Sequence, residues 1–464
     1  MGDNKPVLLG LCPIGKFVFS HENAVRQKCL IQKKLDEIGV NFCDIDEIIP
    51  DGMVRDQKHV EPVVKYFKSM GIDALFVPHC NFGTEGAVGM IARELGVPVL
   101  LWGPRDEAPL SDGSRLRDSL CGMFASSKVL HKLNIPFTYI ENCRIDETAF
   151  EEGISVFLRA AGAAKSLRTA RIGQIGTRID FFWTTIDNES ELLEKFGVQV
   201  MPFDMVEFLE RVRIRAQKNK TNYKSELSEI KKWLITDGVG SEDGLTNSLA
   251  MRDELFDMAA IYKLDAFSIQ SFNSIQHTLG PGMGLGEALA QEKVPIAAES
   301  DIHGAISSIM IEAAAGIQEP SFFPEFTVRH PENENAVLMW HASAPVSLRH
   351  PDFATVEILP PWILKGLPTS SLQFRLKDGP ITVCRFDGDR GEYRLGIGEG
   401  RTVSGPHTRE VYAWMEVDNW PRWERKIIEG PYIHHCSCIY DHCGKVLEEA
   451  CKYIPGLVPE RFDL

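Results

Sequence analysis

Short apolar runs of strand length alternate along the chain with longer stretches whose apolar residues recur at helical spacing. Pro6–Cys12, Asn41–Ile45, Asp73–Pro78, Val97–Trp102 and Pro136–Ile140 read as strands. Glu22–Ile38, Val60–Met70, Thr84–Leu95 and Ser114–Leu133 fall between them with helical spacing, and Thr148–Ser166 closes the unit. Parallel strands need a crossover long enough to hold a helix, so this alternation predicts a parallel sheet covered on both faces.

The pattern restarts at Ala170–Ile175 and continues through Val198–Met201, Asp265–Ser271 and Val294–Ala298. Helices are expected at Met205–Gln217, Tyr223–Leu234, Ser248–Tyr262, Gly284–Gln291 and Ile302–Ala315. After about Gln318, Pro, Asp and Gly punctuate short alternating runs: Phe323–Arg329, Ala336–Ser343, Thr355–Leu359, Leu372–Lys377, Ile381–Asp387, Glu392–Ile397 and Glu410–Val417. Such runs predict an antiparallel sheet or barrel, ended by a helix at Cys443–Ile454. The expected fold class is α/β: two doubly wound parallel-sheet domains, residues 1–166 and 167–318, then an antiparallel, barrel-like C-terminal domain, residues 319–464.

Composition removes several functions. Fifty Lys and Arg against 65 Asp and Glu leave a net charge of −15, unfavourable for holding nucleic acid. The basic stretch Arg211–Lys232 is interleaved with Glu and reads as an exposed helix face. No apolar run approaches the ~18 residues that span a bilayer, so no membrane partner is expected. The start, MGDNKPVLLGLCPIG, lacks a basic leader before a long apolar core, and the eleven cysteines include no C-x-x-C pair. A reduced, cytoplasmic setting is the expectation.

Three segments concentrate ligand-type side chains. In VPIAAESDIHGA, Glu299 and Asp301 stand where an apolar strand ends and a helix begins, the edge at which open α/β sheets place ligands. Asp301 reads equally well as a plain helix cap. FPEFTVR and AVLMWHAS flank the turn-like HPENEN; a turn centred on Asn333 sets Glu325 opposite His341, close enough to share a metal ion. The plainer alternative is an ordinary Glu–His pair. GPYIHHCSCIYDHCG offers His434, His435 and His442 with Cys436, Cys438 and Cys443, but not at zinc-knuckle spacing. One of its histidines serving a site built elsewhere fits better. Gly280, Gly282, Gly284 and Gly286 repeat as G-x-G-x-G-x-G, which is not the dinucleotide fingerprint.

AAESDIHGA, an acidic strand position, LMWHASAP and a His-rich segment before the last helix together resemble the L-fucose/L-arabinose isomerase group, chiefly over residues 265–345 and 405–455. The resemblance implies two Rossmann-like domains and an antiparallel β domain. It implies a metal-dependent aldose–ketose isomerase acting on an open-chain sugar, with manganese the usual ion. Co, Mg and Zn also tolerate such ligands. Carried over, Glu299 and Glu325 match the catalytic, metal-binding acids, His341 and His435 the metal histidines, and His434 the fallback for the last. Gln270 matches a substrate-contacting glutamine. A homo-oligomer, a hexamer with sites near subunit interfaces, is implied on the same ground.

A metal chelated by the sugar's O1 and O2 would polarise the carbonyl while two carboxylates move protons on either side of C1–C2. Lys16, Arg105, Arg115 and Arg117 lie after predicted strands or on the adjoining helix of the first domain and could receive an anionic group, with Lys16 and Arg105 the substrate-binding choices. Trp340, Trp362, Trp414, Trp420 and Trp423 are either sugar platforms or core. The sugar expected is a pentose, a 6-deoxyhexose or a C6-anionic hexose such as sulfoquinovose. The rival readings are a non-catalytic cytoplasmic sugar-binding or regulatory protein and a nicotinamide-linked dehydrogenase.

Overall fold

The computed structural model describes residues 7–236, 242–271, 274–280, 283–360, 362–363 and 370–464. Its described residues fall into two compact units, one ending at Lys165 and one beginning at Ser166.

In the first unit five parallel strands, β1 (Leu9–Leu11), β2 (Phe42–Cys43), β3 (Ala74–Pro78), β4 (Val99–Trp102) and β5 (Phe137–Tyr139), lie in the order β2-β1-β3-β4-β5. Three central strands, β1, β3 and β4, are fully buried, which is why their sequences run apolar without alternation. The helices between them begin and end on chemical signals. Ser20 Oγ accepts from Asn23 N–H at the start of His21–Glu37, and Gly71 (φ 66°) stops Val60–Met70 in the left-handed conformation. The first strand's expected N-terminal residue, Pro6, lies outside the described residues.

The second unit begins with β6 (Arg171–Ile175), β7 (Gln199–Phe203), the short β8 (Leu234–Ile235), β9 (Ala266–Ile269) and β10 (Ile296–Ala298). Four of these make a parallel sheet in the order β10-β9-β6-β7, while β8 joins the following sheet. The helix expected to reach Leu234 stops at Ile230, because Leu234 pairs in parallel with Val356. Helix Met205–Lys218 lies on helix Glu242–Tyr262, and Arg211 and Arg215 reach the buried Glu254 at 2.6 and 2.8 Å. Two arginines of the basic stretch are therefore held by a buried carboxylate, while Arg213, Lys220, Lys224 and Lys232 pair with exposed acids.

The same unit continues with β11 (Glu325–Arg329), β12 (Ala336–His341), β13 (Val356–Leu359), β14 (Ser371–Arg375), β15 (Gly379–Asp389), β16 (Glu392–Val403), β17 (Val411–Glu416), β18 (Ser437–Ile439) and β19 (Leu457–Arg461). With β8 they form one mixed sheet whose backbone is the long antiparallel hairpin of β15 and β16. β8–β13, β14–β17 and β16–β19 pair in parallel and join antiparallel strands around them. A large apolar core runs from Ile175 to Phe462 and takes side chains from both sheets of this unit, with a smaller cluster of Leu338, Tyr412 and Trp414 beside it.

Helix Trp420–Glu429, absent from the sequence expectation, buries Trp420 and Trp423 in that core. The glycine-rich stretch is partly outside the described residues, but helix Met283–Ala290 shows what two of its glycines do. A Cβ on Gly284 would stand 2.8 Å from Ser370 O, and one on Gly286 2.7 Å from Ser248 O. They permit close helix packing rather than a phosphate cradle.

Candidate active site

The site begins where β10 ends. Glu299 and Ser300 take positive φ angles of 63° and 58°, where an L side chain crowds its own backbone. Three bonds hold the turn: Ser300 N–H to Ile269 O at 3.0 Å, Asp301 N–H to Ala298 O at 3.2 Å, and Ser300 Oγ to Thr177 O at 3.2 Å. Strain of this kind persists where the surroundings over-determine it, and it gathers at functional sites. Immediately afterwards Asp301 caps helix Ile302–Ala314, its Oδ1 accepting from Gly304 N–H at 2.8 Å.

β11 and β12 form the expected hairpin with one correction. Close to the turn, Arg329 faces Val337, in the register that a turn at Asn333 requires. Between Phe326 and Arg329, β11 carries an extra residue, and the ladder slips by one. Glu325 therefore faces Trp340 and not His341. On its other side Glu325 is bridged to His435, and Phe326 N–H donates to His434 O at 2.9 Å. The C-terminal segment thus runs beside β11 and carries two histidines to the end of β10.

Among the described residues, two sets of side chains bring ligand atoms within 4.8 Å of one another: Glu299, His341 and His435, and Glu325, His434 and His435. His435 is common to both and is 1% exposed. Its Nδ1 meets Asp301 Oδ2 at 3.1 Å, while Nε2 lies 3.3 Å from Glu299 and 3.9 Å from Glu325. Neither Nε2 approach has hydrogen-bond geometry, so this buried ring nitrogen sits between two carboxylates in ion-pair contact but with no aligned hydrogen bond. His434 Nε2 stands 3.4 Å from Glu325. Phe323 packs against both the His341 and His435 rings, with centroids at 5.9 and 5.1 Å.

The electrostatics follow from this crowding. Burial opposes charge on His435, but Asp301 and Glu299 outweigh it and lift its pKa to about 9. Burial pushes His341 and His434 down to about 4, which keeps them neutral and available as ligands. Burial raises Glu325 to about 7, with His435 opposing and Glu299 and Glu410 adding to the rise. Asp301 is buried too, yet Arg385 at 2.5 Å and His435 hold it well below the usual carboxylate range. Arg385 also pairs with Asp387 at 2.9 Å, and Asp387 with His303 at 3.2 Å.

The carboxylates of Glu299, Glu325 and Asp301 favour positive charge at the centre of the cluster. A divalent ion meets the same demand, and the donor set of two carboxylates with imidazoles around the buried His435 Nε2 suits one. A carboxylate behind a ligand histidine, as Asp301 stands behind His435, is how metal sites fix a ring's tautomer and orientation.

The other expected residues divide. Gln270 follows β9 and Glu299 follows the paired β10, so both sit at one sheet edge, but the Gln270 amide donates to Thr177 O at 2.8 Å. Lys16 and Arg105 belong to the first unit, after β1 and β4. The Lys16 ammonium sits 4.5 Å from the Phe82 ring centroid and 3.4 Å from Glu85, and Arg105 is exposed. Arg115 and Arg117 are taken by Asp118 and Glu107. Trp414, Trp420 and Trp423 are buried and structural, Trp340 is half-buried, and Trp362 is exposed.

Arg385 and Asp387, which stand behind Asp301 and His303, are not singled out by the sequence reading. Their signal was two charged residues, alternating on one face of an otherwise apolar strand, ITVCRFDGD.

Two family models match the chain: the N-terminal domain of fucose/sulfoquinovose isomerase over residues 10–168, and the C-terminal domain of L-fucose isomerase over residues 361–456. A sulfoquinovose isomerase of Priestia aryabhattai is 26% identical over 436 residues, covering 92% of this chain and 93% of its own. One from Alkalicoccus urumqiensis is 23% identical over 337 residues, covering 72% and 73%. A periplasmic solute binding protein of Actinobacillus succinogenes with bound D-allose shares 11% identity over 68% of this chain and 85% of its own. Its TM-score of 0.16 carries no argument. The paired domain models and the near full-length relatives agree: the chain belongs to the L-fucose isomerase-like family of sugar aldose–ketose isomerases.

Proposed function

We propose that this isomerase acts on the open chain of a C6-anionic hexose, sulfoquinovose first among them, with a divalent metal, manganese, held by Glu299, Glu325, His341 and His435. The buried Nε2 of His435, set between the carboxylates of Glu299 and Glu325 with no aligned hydrogen bond, is the observation that carries the reading. When bound, the ion supplies Lewis acidity that polarises the sugar carbonyl and stabilises enediolate charge.

The chain's own groups do the remaining work. Glu299 and Glu325 pass the protons exchanged between C1 and C2 and between their oxygens. Asp301, through its bond to His435 Nδ1, keeps that ring oriented with Nε2 toward the two acids. Phe323 covers one side of the imidazoles and limits water there. Gln270 contacts the sugar's hydroxyls, and Lys16 and Arg105 are the first unit's candidates for an anionic group. The names of the relatives support the choice of sugar.

We also read residues 1–166, 167–318 and 319–464 as three domains, assembled as a homo-hexamer with sites near subunit interfaces. The eleven free thiols suit the reducing cytoplasm. Among the described residues no helix is long and apolar enough to cross a membrane.

The test is ketose formation from a panel of aldoses by chelator-stripped protein, with and without added Mn²⁺. The panel is L-arabinose, D-arabinose, L-fucose, D-galactose, D-glucose and sulfoquinovose. Turnover of sulfoquinovose that returns with Mn²⁺ is the expected result. Metal-restored turnover of a neutral sugar alone removes the anionic substrate. A folded protein that binds no metal removes the four-residue site.

A further inference from the structure

Beside the proposed metal ligands lies a carboxyl group that the reading above does not use. Glu410 immediately precedes β17, whose first residue, Val411, pairs with His341. The residue before it, Arg409, accepts the indole N–H of Trp340 on its carbonyl at 2.8 Å, and Trp340 faces Glu325. Glu410 is thus fixed one residue from the strand position opposite a proposed ligand.

Three features of Glu410 are costly for a residue with only a packing role. Its φ is 73°, in the region that favours glycine, although it is a long side chain at a strand start. Its main chain is pinned there, because Glu410 N–H donates to Gln373 Oε1 at 2.8 Å. The side chain is 2% exposed, and Oε1 has no hydrogen-bond partner among the described residues. Buried polar atoms in native proteins are almost always paired, so an orphaned carboxyl oxygen calls for a ligand that supplies the bond. Burial lifts the Glu410 carboxyl to about 7, against the Trp362 main chain, Arg409 and Ser371. Near neutral pH it can donate or accept.

We propose that Glu410 is a substrate-contacting, specificity-determining residue whose unpaired oxygen takes a hydroxyl of the open-chain sugar beyond C2. The inference rests on the metal-site reading above, since it places the sugar beside His341 and Glu325. A hydroxyl suits the orphaned oxygen because it can donate to the carboxylate or accept from the acid. An anionic substituent would be repelled by the ionised form, so the charged end of the sugar lies elsewhere.

Two variants test this, Glu410→Gly and Glu410→Gln, each measured for melting temperature, Mn²⁺ bound per chain, and kcat and KM. The substrates are the aldose the wild type turns over and its single-deoxy analogues at C3, C4 and C5. Glycine relieves the positive φ, so Glu410→Gly is expected to melt no lower than wild type and to bind Mn²⁺ equally. Its KM for the parent sugar is expected to rise about 10-fold or more, as losing a charge-assisted hydrogen bond does. For one deoxy analogue, variant and wild type should give the same KM. Glu410→Gln keeps the shape and some bonding, and should raise the parent KM less while leaving the same analogue unaffected.

A purely structural role would move every substrate equally or none. An unchanged parent KM in Glu410→Gly, or in Glu410→Gln should the glycine variant not fold, overturns this inference while metal-restored turnover still stands. Wild-type protein that binds no Mn²⁺ and isomerises no aldose overturns the metal-site reading, and this inference with it.

Discussion

At Asp301 one oxygen caps a helix through Gly304 N–H, while the other holds a buried guanidinium and a buried imidazole. The two jobs separate on substitution. Asparagine caps helices as well as aspartate does, so Asp301→Asn preserves the cap but leaves Arg385 with Asp387 as its remaining buried carboxylate. Removing one partner of a buried ion pair typically costs about 3–5 kcal/mol. Loss of the carboxylate behind a ligand histidine typically weakens metal binding by about 10–100-fold. Asp301→Asn is therefore expected to lose several kcal/mol in urea unfolding and to release Mn²⁺ to a weaker chelator. A loss of only about 1 kcal/mol with unchanged metal affinity would reduce Asp301 to a cap.

The sequence offered this residue in both roles and could not choose, because a cap is a local property. Its bond to Arg385 spans 84 positions. Glu299 was legible as the last acid on an apolar strand, yet nothing local announced that it and Ser300 would both take positive φ. Such strain is imposed by the bonds to Ile269 and Thr177 on neighbouring elements.

At the scale of elements, the periodicity located most helices and strands to within a few residues, because burial of one face dictates spacing. The hairpin of β11 and β12 shows where that stops. The turn at Asn333 set the register beside it, and one extra residue farther along turned Glu325 from His341 toward Trp340. A bulge is a compromise between two strands and the chain packed beside them, here the segment carrying His434 and His435.

Helix Trp420–Glu429 was missed although its start was written locally. Asn419 accepts from Arg422 N–H at 3.0 Å, and Pro421 stands within the first turn. Because this helix seats Trp420 and Trp423 in the core, Asn419→Ala is expected to cost about 1 kcal/mol in denaturant unfolding. Metal affinity should not change, since the helix supplies no proposed ligand. A weakened metal site in that variant would tie the helix to the cluster.

For the molecule as a whole, the proposed ligands come from the end of β10, the start of β11, the end of β12 and the segment before β18. An ion bound by all four joins distant parts of one unit, and an ion at 100-fold excess over its Kd stabilises the native state by about 2.7 kcal/mol. Added Mn²⁺ is expected to raise the melting temperature and to slow amide hydrogen exchange within residues 166–464. Equal slowing in the unit ending at Lys165 would place the ion elsewhere.

What the sequence determined by itself was the class of fold, through the alternation of apolar runs and helical stretches, and the kinds of side chain available for a metal. Both are carried by local order: periodicity reports burial, and short segments such as AAESDIHGA and LMWHASAP keep their chemistry together. Only the tertiary structure decided that His435 is buried between Glu299 and Glu325, that Arg385 stands behind Asp301, and that Glu410 is held beside β12 with an oxygen unpaired. Those facts depend on which strands become neighbours and on where a ladder slips. Such choices are made by packing across more than a hundred residues, which no local pattern records.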